Sequence, residues 1–172
     1  MRQVRQSVFE TNSSSTHCMC IVSDRKAELV FPGRLRFSCE EYGRERGELR
    51  SAEDKASYLY SSILSLFERK KAENAKSWIM EELGKVGVEC DFETPEYRRY
   101  GTGVYCCNAY VDHAGEDDHL TFVESVLRSN GRLLRYLFSG KSVVLTTSDE
   151  VDDDRIENFH VNYKHEFYYK GN

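Results

Sequence analysis

Val8-Phe9-Glu10-Thr11-Asn12-Ser13-Ser14-Ser15-Thr16-His17-Cys18-Met19-Cys20-Ile21-Val22 is the stretch on which the fold reading turns. Six small polar residues separate two segments of strand character. Upstream, Val4, Gln6 and Val8 alternate with Arg5, Ser7 and Phe9, and a period of two marks a half-buried strand. Downstream, residues 18–22 read as a second strand. Ser and Asn side chains compete for backbone hydrogen bonds, so residues 11–16 read as the turn between them. The expectation is a β-hairpin with a hydroxyl-rich tip.

Working outward, Pro32-Gly33 between Leu29-Val30-Phe31 and residues 35–39 fits a type II turn, with Gly supplying positive φ. That extends the hairpin into a meander of short antiparallel strands. Residues 40–50, charged and carrying Gly43 and Gly47, read as a loop. Ser51 is a good N-cap, with Glu53 and Asp54 in the first turn. Ala56, Leu59, Tyr60, Ile63, Leu64 and Phe67 recur at helical spacing, and Ala75, Trp78, Ile79, Leu83 and Val86 continue the stripe. One long helix or two shorter ones satisfy this pattern, with Gly84 and Gly87 as stops.

Residues 88–93 read as a strand and 94–103 as a loop. Residues 104–111 give the strongest strand pattern, expected to be central. An acidic run then caps a helix bearing Leu120, Val123, Val126 and Leu127, which Asn130-Gly131 should end. A short helix with Leu133, Leu134, Leu137 and Phe138 follows, then a strand at 142–147 and extended aromatic chain at 158–169. This order predicts one α+β domain over residues 1–172: a mainly antiparallel sheet with helices packed on one face.

The net charge is −5. Residues 112–157 hold eleven acids and five bases, so the remainder is near neutral. Phosphate contacts need cations, which argues against direct nucleic-acid binding through this segment. It suits a cationic partner, such as a protein groove that normally holds nucleic acid. Glu116, Asp117, Asp118, Asp149, Glu150, Asp152, Asp153 and Asp154 are the candidate binding residues there. There is no apolar h-region after the N-terminal charges and no apolar run of membrane-spanning length. Six Cys without an export signal read as reduced thiols, and a cytoplasmic setting is expected.

His17 beside Ser13 and Ser14 is a candidate base with candidate nucleophiles, provided a third group orients the imidazole. Asn12 and Ser15 add anion-binding groups to the same turn. Asp112-His113, at the end of the strand at 104–111, is a second candidate acid–base pair. The cysteines lack C-x-x-C spacing, so no metal and no cofactor is expected.

Arg5-x-x-Val8 through His17 resembles an N-terminal signature in uncharacterised proteins of Firmicutes and their phages. Tyr110-Val111-Asp112-His113, and Leu137-Phe138 leading to Ser142-Val143-Val144, are similar to further segments of that group. Cys18 stands where the pattern has Ser. The resemblance implies a phage or mobile-element setting, in which small acidic proteins of this size resemble inhibitors of host defence, anti-CRISPR proteins included. The expected function is binding to a host protein or ribonucleoprotein complex. The alternative is a hydrolase or transferase acting on a phosphate-bearing or acyl substrate with a Ser/His/Asp site.

Overall fold

The computed structural model describes residues 15–22, 29–43, 47–101, 103–112, 117–148 and 165–171. Its centre is an antiparallel sheet of four strands. β1 (Ser15–Val22) lies between β9 (Val143–Ser148) and β10 (His165–Gly171), and β4 (Gly47–Leu49) pairs with the far edge of β9. Cys18 pairs with Leu145 on one side and Lys170 on the other. Both hydrogen-bonding edges of residues 17–20 are therefore filled. The first strand of the expected hairpin, residues 3–10, lies outside the described residues; over residues 17–20 both ladder edges belong to β9 and β10. The predicted turn is also too long at its C-terminal end, since Ser15 and Thr16 are already in the strand.

Alternation along β1 sorts its side chains between two buried clusters. Met19 and Ile21 join Val144 in the main core, while Cys18, Cys20 and Val22 join Val143 and Leu145 on the opposite face. Four helices complete the α+β fold: α1 (Ala52–Leu66), α2 (Arg69–Gly84), α3 (Asp117–Leu127) and α4 (Asn130–Phe138). On the main-core side Phe122 of α3 meets Phe167 of β10 at 5.7 Å and Tyr136 of α4 at 5.4 Å. Arg132 and Arg135 of α4 both bond the Glu166 carboxylate on β10, tying helix to strand.

α1 is the helix around which the rest packs. Ser51 caps it, its Oγ accepting from Asp54 N at 3.0 Å. From Ala56 to Phe67 the sequence has no charged residue, and every residue from Lys55 to Leu64 is buried. A helix without a charged face is one the core can surround. Its serines make this workable. Ser57 Oγ accepts from Ser38 N at 3.1 Å, Ser61 Oγ from Glu40 N at 3.0 Å, and Ser65 Oγ from Val111 N at 3.1 Å. Spaced four apart, these hydroxyls form a row of acceptors for the irregular chain crossing the helix, which would otherwise bury unpaired N–H groups.

Several other expectations are corrected. β2 (Arg34–Phe37) pairs in parallel with β5 (Glu89–Phe92), and β3 (Glu41–Tyr42) in parallel with β8 (Tyr110–Val111), so the opening segment is no meander. Gly33 does not take positive φ, which Gly87 and Gly101 do, so the type II turn is absent. The loop at 40–50 contains β3 and β4. The loop at 94–103 contains β6 (Tyr97–Tyr100), paired antiparallel with β7 (Gly103–Cys106) as a separate ribbon. The expected central strand at 104–111 is thus two short strands, β7 and β8, outside the main sheet. Asn108 breaks it: its Oδ1 accepts from Glu96 N at 2.7 Å and from the Cys106 thiol at 3.3 Å. Asn130-Gly131 opens α4 instead of ending α3. Ser129 O accepts from Arg132 N and Leu133 N there, and Asn130 reaches the Glu82 carboxylate of α2.

Candidate functional site

Of the candidate residues in the signature, His17 is the one whose side chain is described. It stands on β1 opposite Thr146 and Gly171. Its parity with Met19 and Ile21 turns it toward the helices, where it is 2% exposed. There it meets α1: the Tyr58 hydroxyl and His17 Nδ1 share a hydrogen bond of 2.9 Å. Tyr58 is itself fully buried, so its polar tip needs a partner, and the imidazole supplies one.

A second histidine completes the group. His119, in the first turn of α3, is 1% exposed, with its ring 6.2 Å from His17 and 5.9 Å from Tyr58. His119 Nε2 and Ser62 Oγ are 3.1 Å apart, and Ser62 Oγ donates to Tyr58 O at 2.8 Å. A hydroxyl has one proton to give, so Nε2–H is the donor and His119 is the neutral Nε2–H tautomer. Burial, with a smaller contribution from His17, pushes the His119 pKa down to about 3. A ring that stays neutral at physiological pH serves as a packing and hydrogen-bonding group there.

The network runs on through aromatic rings toward the surface. Tyr42 lies 5.0 Å from Tyr58, edge to face, and its hydroxyl donates to Glu40 Oε2 at 2.9 Å. Asp112 borders this end. Its N–H donates to Tyr42 O at 2.7 Å and its Oδ1 accepts from the Tyr110 hydroxyl at 2.6 Å. Asp112 thus sits on the β3–β8 pair, with Tyr42 leading from it to Tyr58.

Lys55 begins the same helix face. It is 1% exposed, and its Nζ donates to Ser139 O at 2.9 Å and Ser142 O at 3.2 Å, gripping the turn between α4 and β9. Burial, aided by repulsion from Arg50 and opposed by Asp54, draws its pKa down to about 8.

Asn12, Ser13, Ser14, His113, Glu116, Asp149, Glu150, Asp152, Asp153 and Asp154 lie outside the described residues, and so does any meeting of His17 with His113. Ser15 belongs to β1 and Asp117 to the start of α3 by backbone alone; Asp118 is exposed on α3. Tyr58, Ser62, His119 and Lys55 are not among the candidates the sequence offers. For Tyr58 and Ser62 the available signal is the charge-free run of α1, which marks a helix buried on its polar positions as well. Among the described residues no three His, Cys, Asp or Glu side chains gather in a way that could hold a metal ion, and no helix is long and apolar enough to cross a membrane. Compared with protein-family models, curated proteins and solved structures, the chain matches none.

Proposed function

We propose that this protein acts by binding a macromolecular partner, as an accessory protein of a phage or mobile element and specifically as an inhibitor of a host-defence complex of the CRISPR type. One observation carries the preference for binding over catalysis. His17, the chemistry-bearing residue of the signature, is 2% exposed and committed to Tyr58 beside a neutral His119. Its work is to fasten β1 to α1 and α3. The surplus of acids over residues 112–157 supports a cationic protein groove as the partner surface.

The test mixes the full chain with purified CRISPR effector complexes and reads co-elution and loss of target cleavage. The expected result is a complex that weakens as ionic strength rises, because dense surface charge is screened by salt. Absence of co-elution, with cleavage untouched, removes the reading.

The enzyme alternative, a hydrolase or transferase on a phosphate-bearing or acyl substrate, has one specific support: two hydrogen-bonded pairs, His17 with Tyr58 and His119 with Ser62, whose histidine rings lie 6.2 Å apart. Under that reading His17→Gln and His119→Gln abolish cellular activity while the protein remains folded by circular dichroism. Under the binding reading folded variants keep it.

A further inference from the structure

Residues 97–106 hold two arginines and no carboxylate, in a chain whose overall charge is negative. In the β6–β7 ribbon Arg98 stands directly across from Tyr105, and Arg99 from Val104. Cross-strand partners share a face of the ribbon. All four are exposed, Val104 by 51% and Tyr105 by 38%. The foot of the ribbon is attached: Tyr97 lies 5.2 Å from the Arg69 guanidinium of α2, and Cys106 packs against the main core. Arg99 and Val104 have the parity of Tyr97 and Cys106 and lie two positions nearer the tip, on the face opposite Arg98 and Tyr105. Among the described residues the ribbon pairs with no other strand.

Two details give this surface a chemistry. First, Arg98, Arg99, Arg69 and Lys70 are exposed and make no ion pair among the described residues, unlike Arg34, Lys71, Lys85, Arg128, Arg132 and Arg135. Second, a Cβ at Gly103 would fall within 2.6 Å of three Tyr105 ring and hydroxyl atoms. The Tyr105 ring therefore lies against the Gly103 backbone, where a Cβ would force it to move, and it remains 38% exposed.

We propose that the β6–β7 ribbon, with Arg69 and Lys70 at the start of α2, binds single-stranded nucleic acid. The cations take backbone phosphates and Tyr105 stacks on a base. Cations without carboxylate partners are what phosphate contacts require. An exposed aromatic ring sharing its face with a cation, as Tyr105 does with Arg98, is what sequence-tolerant base stacking requires. An acidic peptide would use the arginines but gains nothing from the ring. The ribbon lies outside the acidic segment, so this activity stands independently of the proposed inhibition.

The test is fluorescence anisotropy of labelled oligothymidylate and oligouridylate with the full chain over a range of salt. Binding is expected, falling with salt. Arg98→Ala/Arg99→Ala should weaken it about ten-fold and reduce the slope of log affinity against log salt by about 1.4, the release expected for two single-strand phosphate contacts. Tyr105→Ala should weaken it about five-fold at unchanged slope, as loss of one stacked base does. All three side chains are exposed, so thermal melting should be unaltered. Absence of binding at low salt overturns the proposal, as does wild-type affinity in the arginine double variant. Competition by polyglutamate as effective as by unlabelled oligonucleotide would assign the ribbon to acidic protein segments and overturn it equally.

Discussion

α1 and α2 are consecutive helices of 15 and 16 residues, separated by Phe67 and Glu68 in extended conformation. They reach opposite fates. α2 buries a narrow stripe, Ala72, Ala75, Ile79, Glu82 and Leu83, and gives its other sides to lysines, glutamates and solvent. α1 is buried along ten consecutive residues, four of them Lys or Ser. The difference teaches that polar content does not decide exposure; whether each polar group has a reachable partner does. In α1 the Ser57, Ser61 and Ser65 hydroxyls each receive a backbone N–H, Tyr58 has His17, and Lys55 has two carbonyls. On α2, Ser77 is exposed and bonds only its own helix at Glu73 O.

The contrast is broken most severely at Tyr58. Tyr58→Ala removes a fully buried ring and takes its hydroxyl from His17 Nδ1, and should cost about 4 kcal/mol in urea unfolding. Lys76→Ala on α2 should stay within about 0.5 kcal/mol. Should the two prove equal, the central role of α1 is mistaken.

Lys55 gives the next effect. Its pKa falls from 10.5 in the unfolded chain to about 8 in the fold. The unfolded state therefore holds more proton between these values, and stability rises with pH across that window, by about 3 kcal/mol in all. Lys55→Met should lack this rise, so the wild-type minus variant difference in unfolding free energy should climb from pH 8 to 10.5. A flat difference would mean the ammonium is solvated.

His119 acts at the other end of the scale. With its pKa lowered from 6.5 to about 3, its stabilising contribution is complete above 6.5 and is lost as pH falls toward 3. By pH 5 the loss should be about 2 kcal/mol. His119→Gln should flatten the acid limb of the stability profile, and an unchanged limb would refute the burial of this ring.

The smallest effect sharpens the comparison directly. Ser61→Ala leaves Glu40 N without its acceptor and should cost about 1–2 kcal/mol, while Ser77→Ala should be near neutral. The two substitutions are chemically identical, so any difference between them measures partnership alone.

What could be read in the sequence followed from local chemistry. Ser51 announces α1, the apolar spacing places α1 and α2, and residues 142–147 declare β9 within one residue. What could not be read depended on contacts distant in sequence. Nothing in residues 18–22 tells that both edges will be taken by chain near residues 145 and 168. Nothing in the strand-like run at 104–111 tells that Asn108 will bond back to Glu96 and split it. His17 stands out by its unusual neighbours in the chain, but its spatial partners Tyr58 and His119 belong to helices whose patterns draw attention to Leu59, Ile63 and Leu120. Charge density alone marks the acidic candidates Asp149, Glu150, Asp152, Asp153 and Asp154, a signal with no bearing on geometry.

The position of β1 between β9 and β10 also governs when this protein can exist during its own synthesis. Cys18 leaves the ribosome long before Leu145 or Lys170, and at about 5–20 residues per second the interval is on the order of ten seconds. Throughout it, an apolar strand has neither neighbour to bond. Pairings so distant along the chain are also the slow ones to close. The nascent protein therefore offers chaperones, throughout that interval, an unpaired strand that begins within the hydroxyl-rich signature.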